Sequence, residues 1–378
     1  MQKVARTFLS IAFAVGAVFI GHSSAQGSAT PAGGAVFVMT NDVNRNEVIS
    51  FSRAADGSLR EGRRFATGGR GTGGVTDPLE SQGSLTLSQN HSFLFAVNAG
   101  SGEVSVFFVH GSSLTLVDRV PSGGGEPNAV AQRGNLVYVI NVGGSSNVTG
   151  FRLSAAGQLN RIPNSTRFLT TNNSEAASLA FSPDGQFLVV TERATNNIDV
   201  FHIQDDGTLG PIVVNQDSDP GTFAVTFSRA GAALVAETGP TGGVNASTIA
   251  SYAINPNGTL APITIDIPTL ANATCWDVAT PDGQWVYTSN PGSATISGFS
   301  INPAGALTPL GGTVVGTNPS GSTNLDVTVS ADSKFLYTLD SGTGTISIFG
   351  INSDGSLNNL GEGGSFSAAA GFNGVAAF

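Results

Sequence analysis

The sequence predicts an all-β protein that folds as one seven-bladed β-propeller with four antiparallel strands per blade. Three observations support this prediction. A four-strand unit recurs along the chain, polar residues end its second strands at intervals of 43 to 57 residues, and the two ends of the chain match two strands of one blade. Four short strands repeating about every 40 to 50 residues are typical of propeller blades. The 50 glycines and 11% charged residues suit a chain with many tight turns.

The first residues have the pattern of a secretory leader. Lys3 and Arg6 precede an apolar run over residues 8–20, and Ser23-Ser24-Ala25 supplies the small residues that signal peptidase needs. The apolar run is shorter than the about 20 residues of a membrane span. We therefore expect a secreted or periplasmic protein without membrane insertion. The predicted organisation is a signal peptide (1–25) cleaved near Ala25, a short linker (26–34) and the propeller (35–378).

The charge balance restricts the partners. Without Lys3 and Arg6, 14 of the 16 basic residues remain against 26 acidic residues, which gives a formal net charge of −12. Such a charge disfavours nucleic acid as a partner, so we expect none. Cys275 is the single cysteine, so the chain can form no intramolecular disulfide. We expect a monomer that requires no cofactor, although a bound Ca²⁺ is compatible with the acidic composition.

Each repeat contains an apolar second strand. Residues 187–191 and 335–339 are rich in the β-branched and aromatic side chains that fill buried, pleated surfaces. A polar residue ends the second strand in every repeat. These residues are Asn41, Asn98, Asn141, Glu192, Glu237, Asn290 and Asp340.

A hairpin joins the third and fourth strands of each repeat. Asp206-Gly207 and Asp354-Gly355 are strong hairpin signals, because glycine readily takes the positive φ that two-residue turns need. Seven such hairpins match the seven strand ends. The other five lie at Gly57, Gly111, Gly157, Gly258 and Gly305.

The chain ends predict how the ring closes. Residues 35–39 match a second strand and residues 374–378 match a first strand. The C-terminal strand therefore completes the first blade and leaves no exposed edge in the ring. A solenoid or a two-sheet sandwich is the alternative, but neither explains why the two ends complement each other.

Several stretches resemble the lactonase-type seven-bladed propellers, a family that includes bacterial 6-phosphogluconolactonases and fungal carboxymuconate cyclases. The resemblance covers essentially the whole mature chain. It implies a lactone hydrolase or a lactonising isomerase that acts on a small lactone or sugar-like ligand. The stretches are Ser81-Gln-Gly-Ser-Leu85, residues 96–106, Asn147-Val-Thr-Gly-Phe-Arg152, residues 190–198, Cys275-Trp276 and Tyr287-Thr-Ser-Asn290.

The histidines of this family are missing. Characterised members carry histidines before or within some first strands, where this chain has Glu126-Pro-Asn-Ala129, Glu175-Ala-Ala-Ser178 and Asp219-Pro-Gly-Thr222. The mature chain retains His91, His110 and His202, which form no cluster in the sequence. A histidine-ligated zinc site is therefore not expected.

Propeller geometry indicates where a site would lie, since the second-strand ends share one face with the loops that enter the first strands. Glu192 and Glu237 replace the amide or aspartate of the other repeats on adjacent blades. We expect them to share a proton or a cation at the channel mouth, with one acting as general base on water. Arg193 or Arg152 would stabilise the oxyanion, or Ca²⁺ would polarise the carbonyl. The candidate substrate-binding residues are Glu126, Asn141, Glu175, Trp276, Asn290, Asp340 and Phe372.

Each candidate has a structural alternative. Strand-end carboxylates and amides accept hydrogen bonds from loop amides in many turns, and Trp276 is equally consistent with channel packing. The glycine-rich residues 68–74 lack the lysine of a phosphate-binding loop and are better explained as a connector. The competing function is a non-catalytic module that holds a protein, peptide or glycan. A narrow pocket favours an enzyme, whereas a flat apolar face favours a partner.

Overall fold

A computed structural model describes residues 33–378. The predicted signal peptide and most of the predicted linker lie outside this range. Within it, the secondary structure consists of 29 β-strands in seven antiparallel sheets, so the predicted all-β seven-bladed propeller is confirmed. No helix long and apolar enough to cross a membrane occurs among these residues.

The first three blades follow one order from the channel outward, and only the third departs from four strands. Blade 1 comprises β29 (Asn373–Ala377), β1 (Ala35–Met39), β2 (Glu47–Arg53) and β3 (Leu59–Ala66). Blade 2 comprises β4 (Leu85–Leu87), β5 (Phe93–Asn98), β6 (Glu103–His110) and β7 (Ser113–Pro121). Blade 3 comprises β8 (Gly125–Arg133), β9 (Leu136–Gly143) and β10 (Asn147–Leu153), with its outer strand split into β11 (Leu159–Arg161) and β12 (Arg167–Phe168).

The remaining four blades have the same order and four strands each. Blade 4 comprises β13 (Ala176–Phe181), β14 (Phe187–Glu192), β15 (Asn197–Ile203) and β16 (Leu209–Gln216). Blade 5 comprises β17 (Thr222–Phe227), β18 (Ala233–Glu237), β19 (Thr248–Ile254) and β20 (Leu260–Pro268). Blade 6 comprises β21 (Trp276–Ala279), β22 (Trp285–Asn290), β23 (Thr295–Ile301) and β24 (Leu307–Thr317). Blade 7 comprises β25 (Asn324–Val329), β26 (Phe335–Asp340), β27 (Thr345–Ile351) and β28 (Leu357–Gly363).

The core lies in the inner strands of the blades. Every residue of β5, β14 and β26 is buried, which explains their nearly continuous apolar sequences. The outermost strands β3 and β28 are largely exposed and correspondingly polar. Apolar burial between neighbouring blades therefore replaces the disulfides that this chain cannot form.

The ring closes as the sequence predicts. Strand β29 pairs antiparallel with β1, with Phe37 opposite Ala376 and Val36 opposite Ala377. The backbone N–H of Phe378 donates a 3.0 Å hydrogen bond to the carbonyl oxygen of Ala35. Blade 1 thus joins both ends of the described chain.

The two faces of the ring differ. On one, which we call the turn face, tight turns join first and second strands. In blade 4, for example, Asp184 Oδ1 accepts a 3.0 Å hydrogen bond from the Gln186 N–H while Gly185 takes a φ of 76°. On the other, the mouth face, second strands end and incoming loops enter the first strands.

Candidate functional site

The polar residues that end the second strands are fully buried, with 0% exposure in all seven blades. Asn98 is typical: its Nδ2 donates to Ser105 Oγ at 2.8 Å and its Oδ1 accepts from Thr67 Oγ1 at 2.6 Å. Thr67 follows the outer strand of the preceding blade, so this amide joins neighbouring blades. Asn290 makes similar bonds: its Nδ2 donates to Ser297 Oγ at 2.9 Å, and its Oδ1 accepts at 2.6 Å from Thr274 Oγ1 in the loop that leads into β21.

We call such a contact region between neighbouring blades a seam. Glu192 also lies in a seam and does not face the channel mouth. Its Oε1 accepts a 2.8 Å hydrogen bond from the Thr170 N–H, and its Oε2 accepts from the hydroxyls of Thr170 and Thr195. Asp199 on β15 is its acidic neighbour. Burial, and then the Glu192 charge, raise the pKa of Asp199 to about 9.

Glu237 has a separate acidic partner. Its Oε2 accepts a 2.5 Å hydrogen bond from Thr248 Oγ1, while Asp217 beside it accepts from Tyr252 Oη and Thr222 Oγ1, both at 2.7 Å. Burial, and then the Asp217 charge, raise the pKa of Glu237 to about 10. Each glutamate therefore pairs with an aspartate of its own seam. The expectation that Glu192 and Glu237 meet at the mouth does not agree with the structure.

Arg152 lies at the turn face of the ring, opposite the mouth face. It pairs with Leu136 at the start of β9, and its Nη2 donates a 2.7 Å hydrogen bond to the carbonyl oxygen of Asp206 in a turn-face hairpin. The expectation that Arg152 stabilises an oxyanion beside a mouth carboxylate is therefore wrong on geometry.

Five of the seven predicted substrate-binding residues are buried in the framework. Phe372 stacks on Phe366 with ring centroids 5.0 Å apart. Trp276 packs edge-on against Phe223 and donates from Nε1 to the carbonyl oxygen of Ser81 at 3.0 Å. The other three, which occupy seams between blades, are Asn141, Asn290 and Asp340.

The loop between β3 and β4 crosses the channel entrance. We call residues 77–83 of this loop the plug segment. The Gln82 N–H donates to the Ala177 carbonyl of blade 4 at 2.9 Å, and Gln82 Oε1 accepts from the Asp277 N–H of blade 6 at 3.0 Å. Ser81 Oγ donates to the Asn128 carbonyl of blade 3 at 2.8 Å. Anchors on opposite sides of the ring hold the plug segment across the channel.

A pocket of about 180 Å³ opens on the mouth face beside the plug segment, and we call it the mouth pocket. It brings together three residues that the sequence nominated, Glu126, Glu175 and Arg193. Glu80, from the plug segment, was not nominated. The other lining residues are Pro78, Leu79, Asn128, Val142, Asn173 and Ala176.

Arg193 lies at the centre of the polar groups of the mouth pocket. Its Nη2 donates to Glu175 Oε2 at 2.9 Å and also to Glu80 Oε2, and its guanidinium carbon lies 5.5 Å from the centre of the Phe223 ring. Burial acts to lower the pKa of Arg193, but the two carboxylates outweigh burial and raise it. The arginine therefore stays charged and is held in one orientation.

The three glutamates of the mouth pocket have left-handed backbones. The φ angles are 44° at Glu80, 48° at Glu126 and 50° at Glu175. Few residues other than glycine and asparagine adopt this region, and such strain concentrates at functional sites. Strand β8, which contains Glu126, and strand β13, which follows Glu175, each have a β-bulge near their start, a feature that redirects side chains.

The sequence of the chain matches the profile of the family described as "Lactonase, 7-bladed beta-propeller" over residues 30–169, 145–278 and 219–371. The chain belongs to this lactonase family. The family assignment accounts for the ring and its seven repeats.

Solved structures with this fold include candidate 6-phosphogluconolactonases from Bacteroides uniformis and Bacteroides fragilis. The first is 19% identical with a TM-score of 0.69, covering 91% of this chain and 99% of the other. The second is 17% identical with a TM-score of 0.68, covering 93% and 99%. A periplasmic gluconolactonase from Pseudomonas aeruginosa is 17% identical with a TM-score of 0.67, covering 90% and 98%. At these identities the likeness is one of fold. No curated protein sequence matches the chain.

Below the plug segment, this lactonase-family ring contains a second pocket, of about 320 Å³, which is open to solvent. It extends along the first strands from Gln82 to Gln132 and Arg133 near the turn face. Asp326 lies on its wall and accepts hydrogen bonds from the N–H groups of Val327 and Val375, at 2.9 and 3.0 Å. Burial raises the pKa of Asp326 to about 7.

Metal-ligating side chains do not converge in the described part of the chain. Within residues 33–378, no group of three or more His, Cys, Asp or Glu side chains is arranged to hold a metal ion. Cys275 is buried, and burial raises the pKa of its thiol well above the ordinary value, as expected of an inert cysteine.

Proposed function

We propose that this protein is an exported lactone hydrolase whose reaction takes place in the mouth pocket. The observation that carries the proposal is the convergence of Glu126, Glu175 and Arg193 on one small pocket. A concave site with a few convergent polar groups suits a small molecule better than a macromolecular partner. The family supports lactone chemistry, and the predicted leader supports export.

Glu126 is the proposed general base. Of the three glutamates in the pocket, Glu80 and Glu175 bond to Arg193 and Glu126 does not. Its exposed carboxylate can accept a proton from water as the water oxygen bonds to the lactone carbonyl carbon. When the ring C–O bond breaks, the same proton passes to the departing alkoxide, and the hydroxy acid leaves.

Arg193 is the proposed oxyanion group. Attack on the carbonyl places negative charge on its oxygen, and a fixed guanidinium at that point stabilises the charge more than it stabilises the neutral substrate. Nη2 is occupied by the two carboxylates, but a guanidinium has five N–H donors. Glu175 is then a positioning residue for Arg193.

A screen of the purified mature protein against diverse lactones tests the proposal. Acid release would be followed with a pH indicator, with added Ca²⁺ in one arm and a chelator in another. We expect turnover of at least one small lactone and a loss of about 100-fold or more in kcat for Glu126→Gln, with an unchanged Tm. A lactone that binds without turnover would favour the non-catalytic binding module. Equal turnover by Glu126→Gln would remove Glu126 from the mechanism.

A further inference from the structure

We infer that a pocket on the turn face binds a small aromatic carboxylate, at a site that the proposed reaction does not use. Its volume of about 540 Å³ lies in the range of small-molecule sites, and we call it the blade-5 pocket. The turns between first and second strands of blades 4 and 5 and the hairpin between β23 and β24 of blade 6 surround it. These segments contribute residues 182–184, 229–232 and 303–304.

Blade 5 has a small residue where most other blades have a large one. The position lies five residues before the polar residue that ends each second strand, and in blade 5 it is Ala232. An aromatic ring occupies this position in four blades and is missing from blade 5. The residues of the other six blades are Val36, Phe93, Leu136, Phe187, Trp285 and Phe335.

The hydrogen bonds of the turns confirm that these positions are equivalent. In blade 4 the Phe187 N–H donates to Ser182 Oγ at 3.0 Å, and in blade 5 the Ala232 N–H donates to Ser228 Oγ, also at 3.0 Å. The blade-5 turn is one residue shorter. It also lacks the carboxylate by which Asp184 accepts a hydrogen bond from Ser182 Oγ in the blade-4 turn. The shorter turn and the smaller side chain both leave space on the turn face of blade 5.

The neighbouring blade fills this space only in part. The hairpin of blade 6 packs on Ala232, since a Cβ on Gly305 would come within 2.3 Å of the Ala232 Cβ. Beside that contact the pocket stays open, lined by Phe187 of blade 4, Ile263 of blade 5 and Pro303 of blade 6. Most of the lining side chains are apolar. A bound aromatic ring would remove them from water, as a Phe or Trp side chain does at this position in other blades.

Arg229 gives the blade-5 pocket a cationic group for a carboxylate. It is exposed, and none of the ion pairs among residues 33–378 involves it. Its stem lies along Gly283 of blade 6, where a Cβ would come within 2.9 Å of the Arg229 Cβ and 3.4 Å of its Cδ. This contact restricts the side chain, and a guanidinium can bind a carboxylate through two parallel hydrogen bonds.

The other charged residue of the lining belongs to its own turn. Asp184 Oδ1 accepts hydrogen bonds from Ser182 Oγ at 2.5 Å and from the Gln186 N–H at 3.0 Å. These contacts explain Asp184 as part of the blade-4 turn, whereas Arg229 has no such role. The charge of the ligand is therefore set by Arg229, and a negative group is favoured next to it.

Binding of phenylacetate to the full mature protein tests the inference. A titration followed by ligand-observed NMR should give a Kd of about 1 mM or lower, which is ordinary for a ligand of this size. Benzylamine carries the same ring with a positive charge, and acetate carries the carboxylate without the ring. Each should bind about fivefold or more weakly than phenylacetate.

Two variants locate the site. Ala232→Phe gives blade 5 the residue of blades 2, 4 and 7 and places a ring inside the pocket. It should reduce the affinity for phenylacetate by about tenfold or more. Arg229→Gln removes the guanidinium and should reduce the affinity by about fivefold or more, with an unchanged Tm. Arg161→Gln is the matched control and should leave the affinity unchanged, because Arg161 is an exposed arginine of β11 outside the pocket.

The outcomes decide the inference without reference to lactone turnover, because the measurement is one of binding. Absence of phenylacetate binding up to about 10 mM would overturn it. Undiminished affinity in folded Ala232→Phe or in Arg229→Gln would place the ligand elsewhere and would also overturn it. If Ala232→Phe does not fold, the exposed Arg229→Gln substitution decides the location. Equal or tighter binding of benzylamine would contradict the role of Arg229.

Discussion

The Nη2 atom of Arg193 donates a 2.9 Å hydrogen bond to Oε2 of Glu175, and the Arg193 N–H also donates to the Glu175 carbonyl oxygen at 3.3 Å. The two residues flank the inner strands of blade 4, since Glu175 precedes β13 and Arg193 follows β14. Backbone and side chain are thus joined at one point of the mouth face. This double link, together with the bond to Glu80 of the plug segment, holds the charged guanidinium in place.

Replacing Glu175 with glutamine should loosen that link. The neutral amide of Glu175→Gln can still accept a hydrogen bond but no longer neutralises Arg193. Because Arg193 is proposed to act on the transition state, we expect kcat to fall about tenfold or more while KM changes little. Steady-state kinetics on the best lactone would measure this. A change confined to KM would mean that Glu175 contacts the substrate and does not position Arg193.

The fold was predictable because each repeat carries its own local signals. The second strands are recognisable in the sequence as apolar runs. Hairpin glycines such as Gly207 and Gly355 have the expected positive φ, at 80° and 82°. The closure was predictable because residues 374–378 lack a neighbouring second strand in sequence. Because the same pattern recurs seven times, a strand or turn that is ambiguous in one repeat can be assigned from the other repeats.

The site was only partly predictable. Glu192 was selected because it departs from the amide of the other repeats, but a sequence does not say which way a strand-end side chain points. A signal was available nearby: Asp199 occupies the position in β15 where β6 and β23 have Ser105 and Ser297, so a second residue of this blade also departs from the repeat. The plug segment had a weaker signal. The longest interval between strand ends, 57 residues, is the one that contains it.

Strand β29 should be essential to the ring. Removal of residues 374–378 would expose the edge of β1 and the buried side chains beneath it, including Phe37. We expect a fall in Tm of about 10 °C or more, or loss of soluble protein. Val375→Ala is a milder variant that should cost about 1 kcal/mol of unfolding free energy, by removal of buried methyl groups. Unchanged thermal unfolding after the truncation would contradict the closure.

The buried acids of blades 4 and 5 should make stability depend on pH. The pKa of Asp199 is raised to about 9 and that of Glu237 to about 10, above ordinary values of 3.8 and 4.5. A carboxyl with a raised folded-state pKa favours folding while it is protonated. Its contribution is complete below the ordinary value and is lost as the pH rises through the folded-state pKa. We therefore expect Tm to be higher at pH 5.5 than at pH 9.5, by about 3 °C or more.

Asp199→Ser tests the origin of that slope. Serine is the natural residue at the equivalent position in β23, where Ser297 Oγ donates a 2.7 Å hydrogen bond to the Thr269 carbonyl oxygen. The variant should lose less Tm between pH 5.5 and pH 9.5 than the parent protein. Asp205→Ser is the control: it removes a carboxylate that is exposed, at a hairpin position. This variant should show the same fall in Tm between pH 5.5 and pH 9.5 as the parent protein. Identical pH profiles for parent and Asp199→Ser would assign the slope to other groups.

The plug segment should matter more for catalysis than for stability. Trp276→Phe keeps an aromatic ring against Phe223 but loses the hydrogen bond from Nε1 to the Ser81 carbonyl oxygen. One hydrogen bond contributes about 1 kcal/mol, so Tm should fall by only a few degrees. Ser81 lies next to Glu80, however, and a looser plug segment would move one wall of the mouth pocket. We expect KM for the best lactone to rise about threefold or more. Trp285→Phe, at the other tryptophan, is the control and should leave KM unchanged. Equal effects of both substitutions on KM would show that the plug segment does not shape the pocket.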